Sequence, residues 1–267
     1  MSGTMRDKTN DKQGLRFPWS FPQKQSFVYR IKSYMTMSLV TSVFKIMLLR
    51  GANQLVVHNK EAFVKILENN KQPLITASNH RSNTDDPLMW CLLKFREFWK
   101  FKDRHRYTLA AHNICFTKQF QTKMFSLGRC VPCVRGEGVY QKGMGFYMLN
   151  DNKWVHIFPD GRLVMDAKTE PLILPVWCKN MESVWPVQPP YYPRIGNKVD
   201  VHIAEPFSLA DLKQKVLGKK DILSTEEMRK IITDEVQSRM YQLGEAVGDI
   251  PKGSAENVLQ KNPPISF

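Results

Sequence analysis

The sequence has few cysteines, and those it has form no framework. Five cysteines among 267 residues make no dense, even set of the kind that stabilises a small secreted fold, so that class is excluded and reduced thiols are expected. Cys130 and Cys133 form a C-x-x-C pair with no second pair and no histidine nearby, which favours buried structural cysteines over a zinc site.

Long apolar runs are also missing. The longest, residues 33–49, is interrupted by Lys45 and several hydroxyl side chains, and it falls short of the roughly 20 residues that a transmembrane helix requires. Residues 1–16 are polar and mixed in charge, unlike a signal peptide or a cleavable presequence. We therefore expect a polar N-terminal tail, with any targeting information internal to the chain.

Acidic residues are scarce relative to basic ones. The chain has 25 Asp and Glu against 39 Lys and Arg, a formal net charge of +14, which predicts attraction to anionic partners. No zinc-finger spacing or aromatic RNA-binding pattern accompanies this charge. An anionic membrane surface is therefore the favoured partner, and nucleic acid is not expected.

Residues 17–50 are predicted to anchor the chain to a membrane. Small polar and basic residues recur there at spacings of three and four between apolar positions, namely Ser38, Thr41, Ser42 and Lys45. Aromatic residues suited to the lipid headgroup zone precede them, namely Phe17, Trp19 and Phe21. This pattern indicates a helix lying in one leaflet, and it fits an ordinary core-packing helix equally well.

Strands and helices alternate over the rest of the chain. Strands are predicted at residues 55–57, 73–77, 108–111, 130–134, 154–158, 172–177 and 199–204, and helices near 60–69, 87–99, 118–126 and 139–149. This rhythm predicts an α/β fold with a largely parallel central sheet covered by helices. Ser224 and Glu227 form a capping box for a last helix, predicted to reach about Leu243 and dock on the sheet, while residues 244–267 are expected to be a flexible tail.

The sharpest chemical signal lies at residues 79–87, Asn-His-Arg-Ser-Asn-Thr-Asp-Asp-Pro. Pro87 suits the first position of a helix and Asp86 its N-cap, so His80 and Asp85 fall in the loop before it. An aspartate that accepts a hydrogen bond from one imidazole nitrogen leaves the other able to take a proton from a hydroxyl. His80 and Asp85 are thus a candidate catalytic pair that needs no metal or cofactor, although spacing alone favours a loop histidine beside a capping aspartate.

The pattern at His80 and Asp85 resembles the H-x4-D motif of glycerolipid acyltransferases, in which the histidine is the base and the aspartate orients it. Further blocks follow in the order of that superfamily at residues 128–144, 154–162 and 172–177. The strings Val-Tyr-Gln-Lys-Gly-Met and Trp-Val-His-Ile-Phe-Pro narrow the resemblance to the tafazzin family. It covers about residues 17–215 and implies an acyltransferase domain over residues 51–243.

The resemblance also implies residues that bind the lipid substrate. They are Arg135, Gly136, Gly138, Asp160, Gly161 and Pro175. Arg135 would hold a phosphate, although a solvated surface arginine in a glycine turn is the alternative. Asp160, which stands where the family has Glu, would help form the glycerophosphate pocket, and Pro175 belongs to a strand expected to shape the acyl site.

The function implied by the resemblance is CoA-independent exchange of acyl chains between phospholipids and lysophospholipids, with cardiolipin and monolysocardiolipin as substrates. It implies interfacial attachment to the inner and outer mitochondrial membranes, facing the intermembrane space. An acyl-CoA-dependent lysophospholipid acyltransferase is the alternative. The oligomeric state is not predicted.

One part of the chain is shorter than the family pattern, between residues 161 and 175. Only 13 residues separate Phe158 from Leu172, whereas neighbouring parallel strands need a crossover of about a dozen or more. We therefore hypothesise a shortened variant with reduced stability or activity, or a catalytically weak protein that only binds membranes.

Overall fold

The computed structural model describes residues 25–49, 52–69, 71–82, 84–134, 138–139, 149, 151–158, 169–186 and 188–260. Its strands are β1 (Gln54–His58), β2 (Leu74–Ser78), β3 (Tyr107–Ala111), β4 (Cys130–Val134), β5 (Gly138–Val139), β6 (Trp154–Ile157), β7 (Leu172–Lys179), β8 (Lys198–Ile203) and β9 (Phe207–Ser208). Its helices are α1 (Phe27–Leu49), α2 (Lys60–Glu68), α3 (Asp85–Cys91), α4 (Phe95–Lys100), α5 (His112–Cys115), α6 (Gln119–Leu127), α7 (Met181–Val184), α8 (Ala210–Leu217), α9 (Thr225–Ala246) and α10 (Ser254–Gln260).

The strands form one sheet in the order β1-β8-β7-β2-β6-β3-β4-β5, with β9 paired to β7. The five central strands β7, β2, β6, β3 and β4 run parallel to one another. Strands β8 and β9 are antiparallel to β7, and β1 is parallel to β8. The predicted fold class is therefore confirmed, and the carboxyl ends of β2 and β6 lie at the same edge of the sheet.

The central strands are buried on both faces, which explains their nearly continuous apolar sequences. Every residue of β2 and β6 is buried. Alternate residues point to opposite faces, so Trp154 and Leu174 contribute to one cluster of buried apolar side chains and Val155 and Ile173 to another. None of the five cysteines, all of which lie in the described ranges, forms a disulfide.

Strands β6 and β7 are separated by β2, so they are not the neighbours that the sequence interpretation assumed. Their connection must pass β2 and run from the carboxyl end of β6 back to the start of β7. In the sheet, Leu172 at the start of β7 is level with Leu74 and Trp154. That path is about 10 Å across two strand spacings and about 13 Å back along the strands. Thirteen residues can span at most about 45 Å. The connection is therefore long enough without a helix, and the shortened-variant hypothesis stays a prediction, because residues 159–168 lie outside the described ranges.

The helix predicted at residues 87–99 is divided into α3 and α4. The division arises because Lys94 is extended and the Glu97 carboxylate accepts a hydrogen bond from the Lys94 backbone N–H at 2.6 Å, which begins a new helix. Helix α3 begins at Asp85 with Thr84 as its N-cap, two residues earlier than predicted from Asp86 and Pro87, so Asp85 is the first residue of the helix and does not lie in the loop as predicted. Most of the predicted helix 139–149 lies outside the described residues.

Residues 244–260, predicted to belong to a flexible tail, are folded in the structure. Helix α9 continues to Ala246, and α10 packs against it with Ala255 buried. The turns between the helices use positive φ at Gly248 and Gly253, a conformation that glycine adopts without strain. The segment between the two helices, which contains Gly248 and Gly253, therefore serves here as a tight connection. Helix α9 docks on β7, as predicted.

Helix α1 packs on the domain and turns an apolar side outward. One row of residues spaced by four is buried, and most of it is polar: Ser33, Met37, Thr41 and Lys45. The opposite row is apolar and exposed: Ile31, Met35, Leu39 and Val43. Two members of this row bond to the domain, since Ser33 Oγ donates to the Leu127 carbonyl at 2.7 Å and Lys45 Nζ donates to the Leu93 carbonyl, whereas the Thr41 hydroxyl has no hydrogen-bond partner among the described residues.

The polar stripe of α1 thus faces the domain instead of water, the reverse of what an isolated interfacial helix would do. The buried row confirms that α1 packs on the core, and membrane contact through its exposed apolar row stays a prediction. In the described part of the chain, no helix combines the length and the apolar character needed to cross a bilayer.

Candidate active site

The loop after β2 brings His80 and Asp85 together. Nδ1 of His80 lies 2.9 Å from Oδ2 of Asp85. The same oxygen accepts hydrogen bonds from the backbone N–H groups of Arg81 at 2.6 Å and Ser82 at 2.7 Å. The Asp85 side chain is 1% exposed, and that of His80 is 42% exposed. The structure therefore confirms the contact, while the catalytic role of the pair stays a prediction.

This geometry defines which imidazole nitrogen carries the proton. A carboxylate only accepts hydrogen bonds, so Nδ1 of His80 donates to Asp85 and Nε2 carries the lone pair. Three donors converge on one oxygen of Asp85 and fix the position of its carboxyl group beside the imidazole. Nε2 can then accept a proton from a hydroxyl, and the buried carboxylate stabilises the imidazolium that results.

The start of the loop is held by Asn79, which sequence reasoning did not single out. Its Nδ2 donates to the Cys178 carbonyl at 2.8 Å, and its Oδ1 accepts from the Cys178 backbone N–H at 2.7 Å. The side chain thereby continues the hydrogen-bond ladder between β2 and β7 beyond Ser78. Asn79 directly precedes His80 in the motif, and this position was the sequence feature that could have indicated its anchoring role.

Phe158, the first residue after β6, packs against the catalytic candidate. Its ring stacks on that of His80 with centroids 4.3 Å apart, and it is nearly perpendicular to the ring of His156 with centroids 4.7 Å apart. An aromatic face of this kind restricts rotation of the His80 ring. The sequence analysis quoted Phe158 within a motif and assigned it no role.

His156 is a buried polar residue beneath this aromatic contact. Its Nδ1 lies 2.8 Å from Thr76 Oγ1, which also accepts a hydrogen bond from Trp154 Nε1 at 2.8 Å. The Trp154 N–H can only donate, so the Thr76 hydroxyl accepts from it, and the direction of the hydrogen bond to Nδ1 is set by the tautomer of His156. Burial lowers the pKa of His156 well below its usual value, and the charges of Arg106 and His80 act in the same direction. His156 is therefore neutral and serves as a fixed support for Phe158.

The predicted lipid-binding residues are only partly described. Gly138 lies in β5, paired with Val134 of β4, and Pro175 lies in β7, paired with Ala77 of β2. The remaining four lie outside the described residues: Arg135, Gly136, Asp160 and Gly161. Pro175 is thus in the strand beside the one that leads to His80, and the substrate-binding roles remain predictions.

Comparison with known proteins identifies relatives of this chain. A family model described as Acyltransferase matches residues 54–180. The chain is 29% identical to a tafazzin of Drosophila melanogaster over 248 residues, covering 84% of this chain and 64% of that protein. It is 36% identical to a protein named Taffazin of Dictyostelium discoideum over 157 residues, covering 51% and 55%. It is also 28% identical to an N-acylphosphatidylethanolamine synthase of Arabidopsis thaliana over 198 residues, covering 64% and 69%.

The alignments span less than two thirds of the length of the first two relatives. They bear out the resemblance to tafazzins read from the motifs. The family match runs from the start of β1 to the residue after β7, and so contains both His80 and Asp85. The sheet, the hydrogen-bonded pair and the family match agree, and residues 54–180 of this chain match the acyltransferase family.

Proposed function

We propose that this protein transfers acyl chains from a phospholipid to a lysophospholipid without CoA. Nε2 of His80 takes the proton of the lysolipid hydroxyl as that oxygen attacks the ester carbonyl of the donor. The bond from the carbonyl carbon to the donor's glycerol oxygen breaks, and that oxygen recovers the proton from the imidazolium. One ester replaces another, so the step needs no oxidant, metal or energy source.

The observation that carries the proposal is the 2.9 Å contact between His80 and Asp85 beside the half-exposed imidazole. The carboxylate is buried and triply hydrogen-bonded, whereas the base is accessible to a substrate. This combination suits proton transfer with a lipid hydroxyl. The headgroup would be held by Arg135, Gly136, Gly138, Asp160 and Gly161, with Pro175 shaping the acyl site.

We further propose cardiolipin and monolysocardiolipin as substrates and mitochondrial membranes as the location. The support is the similarity to two proteins named as tafazzins, together with a net charge of +14 that favours anionic lipid. The exposed apolar row of α1 would lie in the bilayer interface and bring the half-exposed His80 close to its substrates.

A transfer assay tests the reaction. Purified protein is incubated with vesicles containing phosphatidylcholine labelled in its acyl chain and monolysocardiolipin, with and without added acyl-CoA. We expect label to enter cardiolipin without CoA. His80→Ala and Asp85→Asn should each lower the rate by about 10²- to 10⁴-fold, because the base or its correct tautomer is lost.

Lys100→Ala is the control, since Lys100 is an exposed residue paired with Glu68 at 2.6 Å. It should transfer label at the wild-type rate. His80→Ala should keep the wild-type circular dichroism spectrum and vesicle binding. Retained transfer in that variant would reject the assignment of the base. Transfer that requires acyl-CoA would instead establish the CoA-dependent alternative, and vesicle binding without transfer in any arm would establish a membrane-binding protein.

A second acceptor is favoured by the similarity to an N-acylphosphatidylethanolamine synthase. The same base could take a proton from the amine of phosphatidylethanolamine, with an amide formed as the donor ester breaks. Adding phosphatidylethanolamine to the vesicles separates the two functions, because an N-acyl product survives mild alkali that removes ester-linked chains. Label found only in that product would replace the lysolipid proposal.

A further inference from the structure

The open edge of the sheet carries a second group of histidine and aspartate residues. Strands β1 and β8 pair in a register that sets His58 beside His202 and Val56 beside Asp200. Residues two apart in a strand face the same side, so His58, Asp200 and His202 share one face. Within the described residues, their potential ligand atoms form a group in which all lie within 4.8 Å of one another.

The three side chains are already close and ordered. The rings of His58 and His202 are stacked, with centroids 4.2 Å apart and planes 2° from parallel. Nε2 of His58 lies 2.9 Å from Oδ1 of Asp200, and the His58 side chain is 46% exposed. Backbone pairing in the sheet holds all three Cα positions, so a ligand would not have to order a flexible loop.

The chemistry of this group suits a transition-metal ion. Two imidazoles and one carboxylate make a common ligand set for zinc and related divalent ions, whereas Mg²⁺ and Ca²⁺ prefer oxygen ligands. Metal ligation requires neutral imidazoles.

Binding requires small rearrangements that the surface position allows. Ligand atoms about 2.0 to 2.2 Å from zinc are about 3.4 Å from one another in a tetrahedron, so the rings must tilt together from their present spacing. The ion would replace the proton between His58 and Asp200. Lys198 Nζ, now 3.1 Å from the same Asp200 oxygen, would swing aside on a side chain that is 54% exposed.

We propose that His58, Asp200 and His202 form a binding site for a divalent transition-metal ion that joins edge strand β1 to β8. A water molecule would complete the coordination, since the chain supplies three ligands. The site is independent of the proposed acyl transfer, which uses His80 and Asp85. An ion bound only to the folded protein raises its stability by mass action and would keep β1 on the sheet.

Zinc titration of the untagged, EDTA-treated protein tests the site. Isothermal titration with ZnCl₂ should give one ion per chain. At a zinc concentration of about 100 times Kd, Tm should rise by about 5 to 10 °C. His202→Ala and Asp200→Asn should each weaken binding by at least about 100-fold, because even partners outside the ligand set change metal affinity by about 10- to 100-fold.

His80→Ala is the matched control, because it removes another half-exposed histidine whose ring contacts an aspartate at 2.9 Å. It should bind zinc as the wild type does. Wild-type affinity in both His202→Ala and Asp200→Asn would overturn the proposal, as would the same loss in His80→Ala. Thermal melting without metal checks that each variant is folded. Should His202→Ala be unfolded, the result for Asp200→Asn decides the test, because that substitution preserves the shape of the side chain.

Discussion

The guanidinium of Arg81 lies 2.8 Å from the carboxylate of Asp249, joining the residue after His80 to the turn between the last two helices. The same Asp249 oxygen accepts a hydrogen bond from Trp177 Nε1 at 2.8 Å. The Arg81 backbone N–H in turn donates to Asp85. One carboxylate near the C-terminus is thus connected to β7 and to the loop that holds the proposed catalytic pair.

Asp249→Asn should therefore impair acyl transfer from a distance. The neutral side chain lacks the charge that holds Arg81, so we expect kcat to fall by about 10-fold. A misplacement of about 1 Å in an active site can lower the rate by about 100-fold, and the expected loss corresponds to a smaller displacement. The free energy of unfolding should fall by about 1 to 2 kcal/mol, as for a partly exposed hydrogen bond to a charged group. Initial rates and urea unfolding measure the two effects.

Asp221→Asn controls for the lost charge, because Asp221 is exposed in the turn before helix α9. It should leave both quantities at the wild-type level. An unchanged kcat in Asp249→Asn would show that Arg81 does not need this partner to keep the loop in place.

Gly244 is the close-packing point between helix α9 and the sheet. A Cβ atom added there would lie 2.6 Å from Cζ2 of Trp177. Gly244→Ala should therefore lower the free energy of unfolding by about 1 to 3 kcal/mol, as expected for overpacking.

Gly218→Ala is its control, because the nearest contact of that added Cβ is the Gln214 carbonyl at 3.4 Å. Alanine reduces the conformational entropy of the unfolded chain, so Gly218→Ala should be as stable as the wild type or more stable by about 0.4 to 1 kcal/mol. Urea unfolding measures the stability of both variants. Equal stabilities would contradict the predicted overpacking, because they would show that α9 moves away from Trp177 without an energetic cost.

Stability should fall in mild acid because His105 is buried. Its Nε2 donates to the Phe98 carbonyl at 2.7 Å. Burial, with Arg129 acting in the same direction, lowers the pKa of His105 to about 3. The unfolded chain takes up a proton below about pH 6.5 and the folded chain does not, so stability is lost as pH falls from about 6.5 towards 3. At pH 5 the loss from this residue is about 2 kcal/mol.

His105→Gln keeps a donor for Phe98 and removes the titrating group. Urea unfolding at pH 7 and pH 5 should show a smaller difference in the variant than in the wild type. His156, which is also held neutral by burial, should preserve part of the pH dependence in both. The same difference in the two proteins would contradict the role given to His105.

The apolar row of α1 should govern vesicle binding. Leu39 is 63% exposed, and replacing it by glutamate removes about 1.5 to 3 kcal/mol of apolar burial, a weakening of about 10- to 100-fold. Ile222→Glu is the control, because Ile222 is 79% exposed and lies before helix α9. Sedimentation with anionic vesicles measures both, and equal affinities of the two variants would exclude α1 as the membrane contact.

Much of this architecture follows from short stretches of sequence. Strands such as Leu74–Ser78 are recognisable because buried parallel strands are continuously apolar. His80 and Asp85 could be paired because they are only five positions apart, one in the loop after β2 and the other at the start of α3. Such features depend on neighbouring residues, so spacing and residue type are enough to predict them.

Other features required distant parts of the chain to meet. The orientation of α1 depends on carbonyls of the domain that accept hydrogen bonds from Ser33 and Lys45. The ion pairs of Arg81 with Asp249 and of His58 with Asp200 each join residues more than a hundred positions apart. Strand order placed β2 between β6 and β7, although local periodicity carries no information about which strands pair. Long-range packing and register therefore set these contacts, because their energies arise only once the sheet has formed.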